Sequence, residues 1–218
     1  RKVLTFTQNG RDQISLWFEG ANEQTTVWLN GQEVTTHLGG YTAFEAELTP
    51  HIRWGEENEL LVRVDNRIHP AVPPLSMDFT FYGGIYRDVW LKRRAPQHFD
   101  PAGKAAPGVI LRTPEVSAKR ATLAAEIAVR NVAEAVAELE VQLKIFDPAG
   151  NPAGDTQRVV TVAGTARDTL TLSLAVARPQ LWSPADPALY RVEVTLSEAG
   201  SGAPLDHFSQ KYGFRWFE

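Results

Sequence analysis

The chain has 218 residues, 43% of them hydrophobic and 22% charged, with a net charge of −4. That composition suits two ordinary domains or one large β domain with a real core, and its interspersed charges exclude the basic stripe that nucleic-acid binding needs. The absence of cysteine excludes disulfides, thiolate metal sites and a cysteine nucleophile, and no run of about 18 apolar residues could span a membrane.

In chain order, the opening "RKVLTFTQNG" lacks the apolar centre of a signal peptide. It starts abruptly, as a piece of a longer chain would, and it leaves the compartment (periplasmic or cytoplasmic, if bacterial) undecided. "VWLNGQEV", residues 27–34, reads as strand, Asn-Gly turn, strand, the strongest short hairpin signal. In "ELLVRVDN" Leu60, Val62 and Val64 share one face. "SMDFTFYGGIYRDVWLKR", residues 76–93, holds an acid, a Gly-Gly pair and a final alternating run. Val89 and Leu91 are expected in a core, Trp90 on the opposite face, and Gly83-Gly84 at a bend where side chains would clash or φ must be positive. "RRAPQHFDPAGKAAPG", residues 93–108, has no periodicity and reads as a linker or long loop.

Beyond that break the alternation returns. Leu139, Val141, Leu143 and Ile145 form one series, Leu170, Leu172, Leu174 and Val176 a second, and Tyr190, Val192, Val194 and Leu196 a third. Only "NVAEAVAEL", residues 131–139, has a helical composition, and the alternation after it favours a strand. The expected fold class is all-β, two consecutive β-sandwiches, one on each side of that break.

Chemical motifs are sparse. There is no G-x-G-x-x-G, P-loop or nucleophile elbow, and the five histidines (37, 51, 69, 98 and 207) show no metal-ligand spacing. No cofactor and no metal are expected. Glu56-Glu57 lies on a turn, where adjacent side chains point apart. Six tryptophans invite sugar stacking, but Trp28 and Trp90 in strands and Trp182 in "QLWSPADP" read first as packing residues.

"VWLNGQEVTTHLGGYTAFEAELT", "ENELLVRVDN" and "DFTFYGGIYRDVWL" together resemble the N-terminal sugar-binding domain of glycoside hydrolase family 2, the β-galactosidase, β-glucuronidase and β-mannosidase group. "HFDPAGKAAPGVILRTPEVS", "PQLWSPADPALYRVEVTL" and "QKYGFRWFE" resemble the immunoglobulin-like domain that follows it. The resemblance implies a partial jelly roll over residues 1–97, a linker over 98–107 and an immunoglobulin-like sandwich over 108–218, and then a (β/α)₈ barrel carrying both catalytic glutamates. The chain ends where such enzymes pass into the barrel, so no catalytic residue is assigned and the chain is expected to be inactive alone. The resemblance also implies that Asp78 reaches toward the barrel's active site and accepts hydrogen bonds from sugar hydroxyls. An aspartate before a bend also commonly caps its own turn, and both readings of Asp78 stand.

The resemblance gives the non-catalytic N-terminal part of a β-galactosidase-like retaining glycosidase, with a β-glycoside and the barrel of the same chain as partners. A stand-alone carbohydrate-binding module and a tandem-sandwich adhesive protein are the alternatives. Phe214, Trp216 and Phe217 in "FRWFE" are expected to leave an exposed apolar flank through which the chain could self-associate.

Overall fold

The computed structural model describes residues 1–7, 12–67, 70–72, 82–101 and 105–215. They divide into two compact units, one built on Arg1–Arg94, the other on Ala95–Pro101 and the chain from Ala106 onward. Both are all-β: the described residues hold no α-helix, only a single 3₁₀ turn at Thr49–His51.

The first unit contains β1 (Lys2–Thr5), β2 (Gln13–Phe18), β3 (Ala21–Asn22), β4 (Gln24–Leu29), β5 (Gln32–Leu38), β6 (Phe44–Glu47), β7 (Glu57–Asp65), β8 (Gly84–Ile85) and β9 (Val89–Arg94). Among the described residues they form a four-stranded sheet in the order β1-β7-β4-β5, a three-stranded sheet β6-β2-β9 and the short pair β3-β8. Val27 and Leu29 from one sheet and Ile14, Leu16, Phe18, Phe44 and Ala46 from the other meet in one core. Leu60, Val62 and Val64 pack toward it, as their alternation predicts. The β4–β5 hairpin turns at Asn30 (φ 54°) and Gly31 (φ 79°), the two positive φ angles that a tight Asn-Gly turn requires.

The second unit contains β10 (Gln97–Phe99), β11 (Val109–Val116), β12 (Arg120–Asn131), β13 (Ala137–Phe146), β14 (Pro152–Val162), β15 (Arg167–Ala177), β16 (Tyr190–Glu198) and β17 (Pro204–Tyr212). One sheet centres on β12, which pairs with β10, β11 and β15; the other runs β14-β13-β16-β17. All three apolar series read from the sequence point inward, with Leu143, Ile145, Val192 and Val194 fully buried. Residues 131–139 close β12 and open β13 as strand and turn, not helix. Asn131 organises that turn: its Nδ2 donates to the carbonyls of Ala135 (2.8 Å) and Ala163 (3.1 Å), while its Oδ1 accepts from Gln97 Nε2 at 2.9 Å. Gln97–Phe99, inside the stretch 93–108 read as a linker or long loop, pairs with β12.

Three expectations need correction. Val89 and Leu91 do share the face of their cross-strand partners Phe18 and Leu16, yet they are 38% and 53% exposed. The reason is position: β9 pairs with β2 alone among the described residues, so that face has no second neighbour to cover it. Trp90 is a surface residue, 52% exposed, whose Nε1 donates to Glu19 at 3.0 Å, and Trp28 and Trp182 are half-buried beneath arginines. Phe214 is no exposed flank: it is fully buried, edge-on to Tyr190 (4.9 Å) and Tyr212 (5.6 Å). Trp216 and Phe217 lie outside the described residues.

Candidate functional site

Several loops of the first unit gather at the β3–β8 pair, which joins Ala21 to Ile85 and Asn22 to Gly84. The backbone ties them together. Glu23 N donates to Asp65 O at 3.2 Å, Gly39 N to Glu23 O at 3.0 Å, and Glu19 N to Asp88 O at 3.1 Å. Tyr86 Oη donates to Gly40 O at 2.6 Å, and Asn22 Nδ2 donates to Tyr82 O at 3.0 Å.

Glycines make this close approach possible. A Cβ on Gly40 would collide with the Asn22 carboxamide, and a Cβ on Gly83 would lie 2.7 Å from Asn66 Cβ. Gly84 is glycine for another reason: its surroundings are open, but its φ is +85°. The Gly-Gly pair therefore meets both needs foreseen for it, a close contact at Gly83 and a positive φ at Gly84.

The surface of this end is aromatic. Tyr82 is 70% exposed and Tyr41 44% exposed, with Ile85 also outward. Tyr41 meets Tyr86 edge-on at 6.4 Å, and the exposed Arg87 guanidinium stands 5.3 Å from the Tyr86 ring centre. Close by in sequence His37 stacks on Phe44 at 4.3 Å, and burial holds its pKa below the ordinary value against the raising effect of a hydrogen bond to the Gly39 backbone. Neutral at neutral pH, it can pack on the ring and hydrogen-bond Thr42 Oγ1 (3.3 Å) without a charge to solvate.

Three carboxyls among the described residues have shifted proton affinities, and all three are held down. The hydrogen bond from Arg67 takes Asp65 to about 2. Asn151 lowers Asp147 in the "DPAG" turn. For Glu45 burial raises the pKa, but hydrogen bonds from Arg94 and Ser15 and the charges of Arg94 and Lys92 outweigh it. These are anchoring carboxylates; the general acid of a glycosidase needs the opposite, a pKa raised toward neutrality.

Asp78, the site residue expected from sequence, lies outside the described residues, as does His69. Sequence reading missed Tyr41 and Tyr82, although one signal was present: both stand in glycine-rich turns, "GGY" and "YGG", outside any alternating strand and so with no core face to fill. The described residues contain no cluster of three His, Asp or Glu side chains placed to hold a metal ion. They contain no helix long and apolar enough to cross a membrane.

A second concave feature is an open groove of about 520 Å³ in the second unit, lined in part by Thr113, Trp182, Gln210, Lys211 and Tyr212. The Arg215 guanidinium already lies 4.9 Å from the centre of the Trp182 ring. Tyr212 Oη is engaged with Thr113 Oγ1 at 2.6 Å.

Two all-β units in tandem, the first with a loop end bearing exposed aromatics, define a two-domain β-sandwich protein. Comparison with known proteins identifies which. Residues 4–95 match the sugar binding domain of glycosyl hydrolases family 2, and residues 110–215 match a second model of glycosyl hydrolases family 2. The chain belongs to that family. It is 33% identical to a β-glucuronidase of Bacteroides fragilis, over 94% of this chain and 29% of the relative. It is 30% identical to a β-galactosidase of Thermoanaerobacter pseudethanolicus, over 94% and 26%. The crystal structure of a Bacteroides uniformis β-glucuronidase superposes with a TM-score of 0.93 at 36% identity, over all of this chain and 26% of that one. The chain thus spans about a quarter of the length of the curated relatives it matches.

Proposed function

We propose that the chain is the non-catalytic N-terminal part of a retaining family 2 glycoside hydrolase, supporting a catalytic barrel and contributing to sugar binding. The observation that carries this reading is the pair of family 2 matches in tandem, sugar binding domain first, over a chain about a quarter as long as its relatives. The division proposed is a jelly roll over 1–97, a connection over 98–107 and an immunoglobulin-like sandwich over 108–218, the connection's first residues doubling as a strand of the second unit.

For the substrate, the first reading is the β-galactosidase-like one that the family resemblance implies. A β-glucuronide is the second reading, favoured by the names of the relatives at 33% and 36% identity. In either case Asp78 is proposed as the carboxylate that the first domain lends to the sugar site. The test is Asp78→Asn, made both in this chain and in an enzyme of the relatives' length that carries it. Losing hydrogen bonds to a charged acceptor costs about 1.5–3 kcal/mol, so kcat/KM should fall by about 10- to 150-fold while the 218-residue chain keeps its melting temperature. An unchanged kcat/KM with a lowered melting temperature would make Asp78 a turn cap and remove it from the site.

A further inference from the structure

We infer that Tyr41 and Tyr82 form a stacking platform for a pyranose ring, a carbohydrate-contact site at the β3–β8 end of the first unit. This deepens the proposed sugar-binding role and rests on it. Four observations support it. The two tyrosines belong to turns brought together through Asn22: the side chain donates to the Tyr82 carbonyl, and its carboxamide fills the space that a Cβ on Gly40, the residue before Tyr41, would need. Both rings are exposed, and neither belongs to the apolar core. The backbone near them is tied by the β3–β8 pair and by the Tyr86 hydroxyl on Gly40 O, and the Tyr41 ring is held edge-on to Tyr86 at 6.4 Å. Finally, the residues lie inside the segment that matches a sugar binding domain, 4–95.

The chemistry suits a sugar. A pyranose offers an apolar C–H face and a rim of hydroxyls. A tyrosine ring takes the first, and amide and guanidinium groups take the second. Two such groups lie close by in other segments: the Asn22 carboxamide, on the Tyr82 carbonyl, and the Arg87 guanidinium, 5.3 Å from the centre of the Tyr86 ring. The large aromatics elsewhere on the surface are already engaged. Trp90 is tied to Glu19, its cross-strand partner Trp17 lies under Lys92 Nζ at 4.1 Å, and Trp182 lies under Arg215. Tyr41 and Tyr82 stay 44% and 70% exposed.

The experiment is a nuclear magnetic resonance titration of the 218-residue chain with methyl β-D-galactopyranoside and, separately, methyl β-D-glucuronide. The aromatic ring signals are followed in the parent chain and in Tyr41→Ala, Tyr82→Ala and Tyr82→Phe. Removing one stacked ring should weaken binding by about three- to tenfold, whereas Tyr82→Phe keeps the ring and should keep the affinity. Because both side chains are exposed, the melting temperature should be unchanged, which separates loss of binding from loss of fold. Perturbations centred on Trp90 or Trp182, or alanine variants that bind as the parent does, would overturn the platform and leave the sugar-binding reading standing. No perturbation by either glycoside at millimolar concentration would overturn both.

Discussion

Strands β13 and β9 carry the same pattern, apolar residues at every second position, and meet opposite fates. β13 lies between β14 and β16 in the middle of a sheet, and Leu139, Val141, Leu143 and Ile145 vanish into the core. β9 is hydrogen-bonded on one side only among the described residues, and Val89 and Leu91 stay in contact with solvent while facing the same way as the buried Leu16 and Phe18. The difference separates two things that alternation is often asked to do together. It assigns a residue to a face; coverage of that face depends on neighbours to either side and on the opposing sheet.

The sharpest way to break this comparison is truncation in both strands. Leu143→Ala should lose about 2–5 kcal/mol of unfolding free energy, because it leaves a cavity in a packed core. Leu91→Ala should lose less than about 0.5 kcal/mol, the range of exposed positions. Equal losses by denaturant titration would mean that β9 is covered after all.

A second prediction concerns the outer face of the sheet holding β9, where Arg94 forms an ion pair with Glu45 beside Ser15, both partners mostly buried. Glu45→Ala should cost about 2–3 kcal/mol at neutral pH by leaving Arg94 without its partner. The folded pKa of Glu45 is depressed, so its contribution is complete above the unfolded value of about 4.3 and is lost as the pH falls through the folded value. The Glu45→Gln variant should therefore show a shallower loss of stability below about pH 4 than the parent. An unchanged acid limb in thermal melts at graded pH would assign the dependence elsewhere.

A third, smaller effect distinguishes the adjacent glycines. Gly83→Ala should cost about 1–3 kcal/mol by overpacking against Asn66, and Asn66→Gly in the same chain should recover most of it. Gly84→Ala should cost about 1–2 kcal/mol through its positive φ, and no partner change should rescue it. Identical behaviour of the two in a double-mutant cycle would contradict the separate roles assigned to them.

Most of the fold was legible because period-two patterning and the Asn30-Gly31 turn are local signals, set by side-chain direction and by φ alone. The illegible part was longer-range. Phe214 follows the last strand in "GFRWF" with no periodicity to reveal that it would fold back between Tyr190 and Tyr212. Trp90 has the composition of a core residue, and only the end of a sheet makes it a surface one. At the candidate site, the two tyrosines come from turns about forty residues apart in sequence, joined by Asn22 from a third segment. No spacing rule connects them. The glycines that allow the approach could be recognised singly, but not what each one approaches.

The most direct test of the central claim, that these domains assist a glycosidase without performing its chemistry, is turnover. The purified 218-residue chain is incubated with aryl β-galactoside and aryl β-glucuronide beside a heat-inactivated control, with circular dichroism confirming a β-rich fold. The expected result is no aryl release above the control from either substrate. Release that scales with the amount of folded chain and disappears on unfolding would place a working carboxylate pair inside these residues and contradict the assignment.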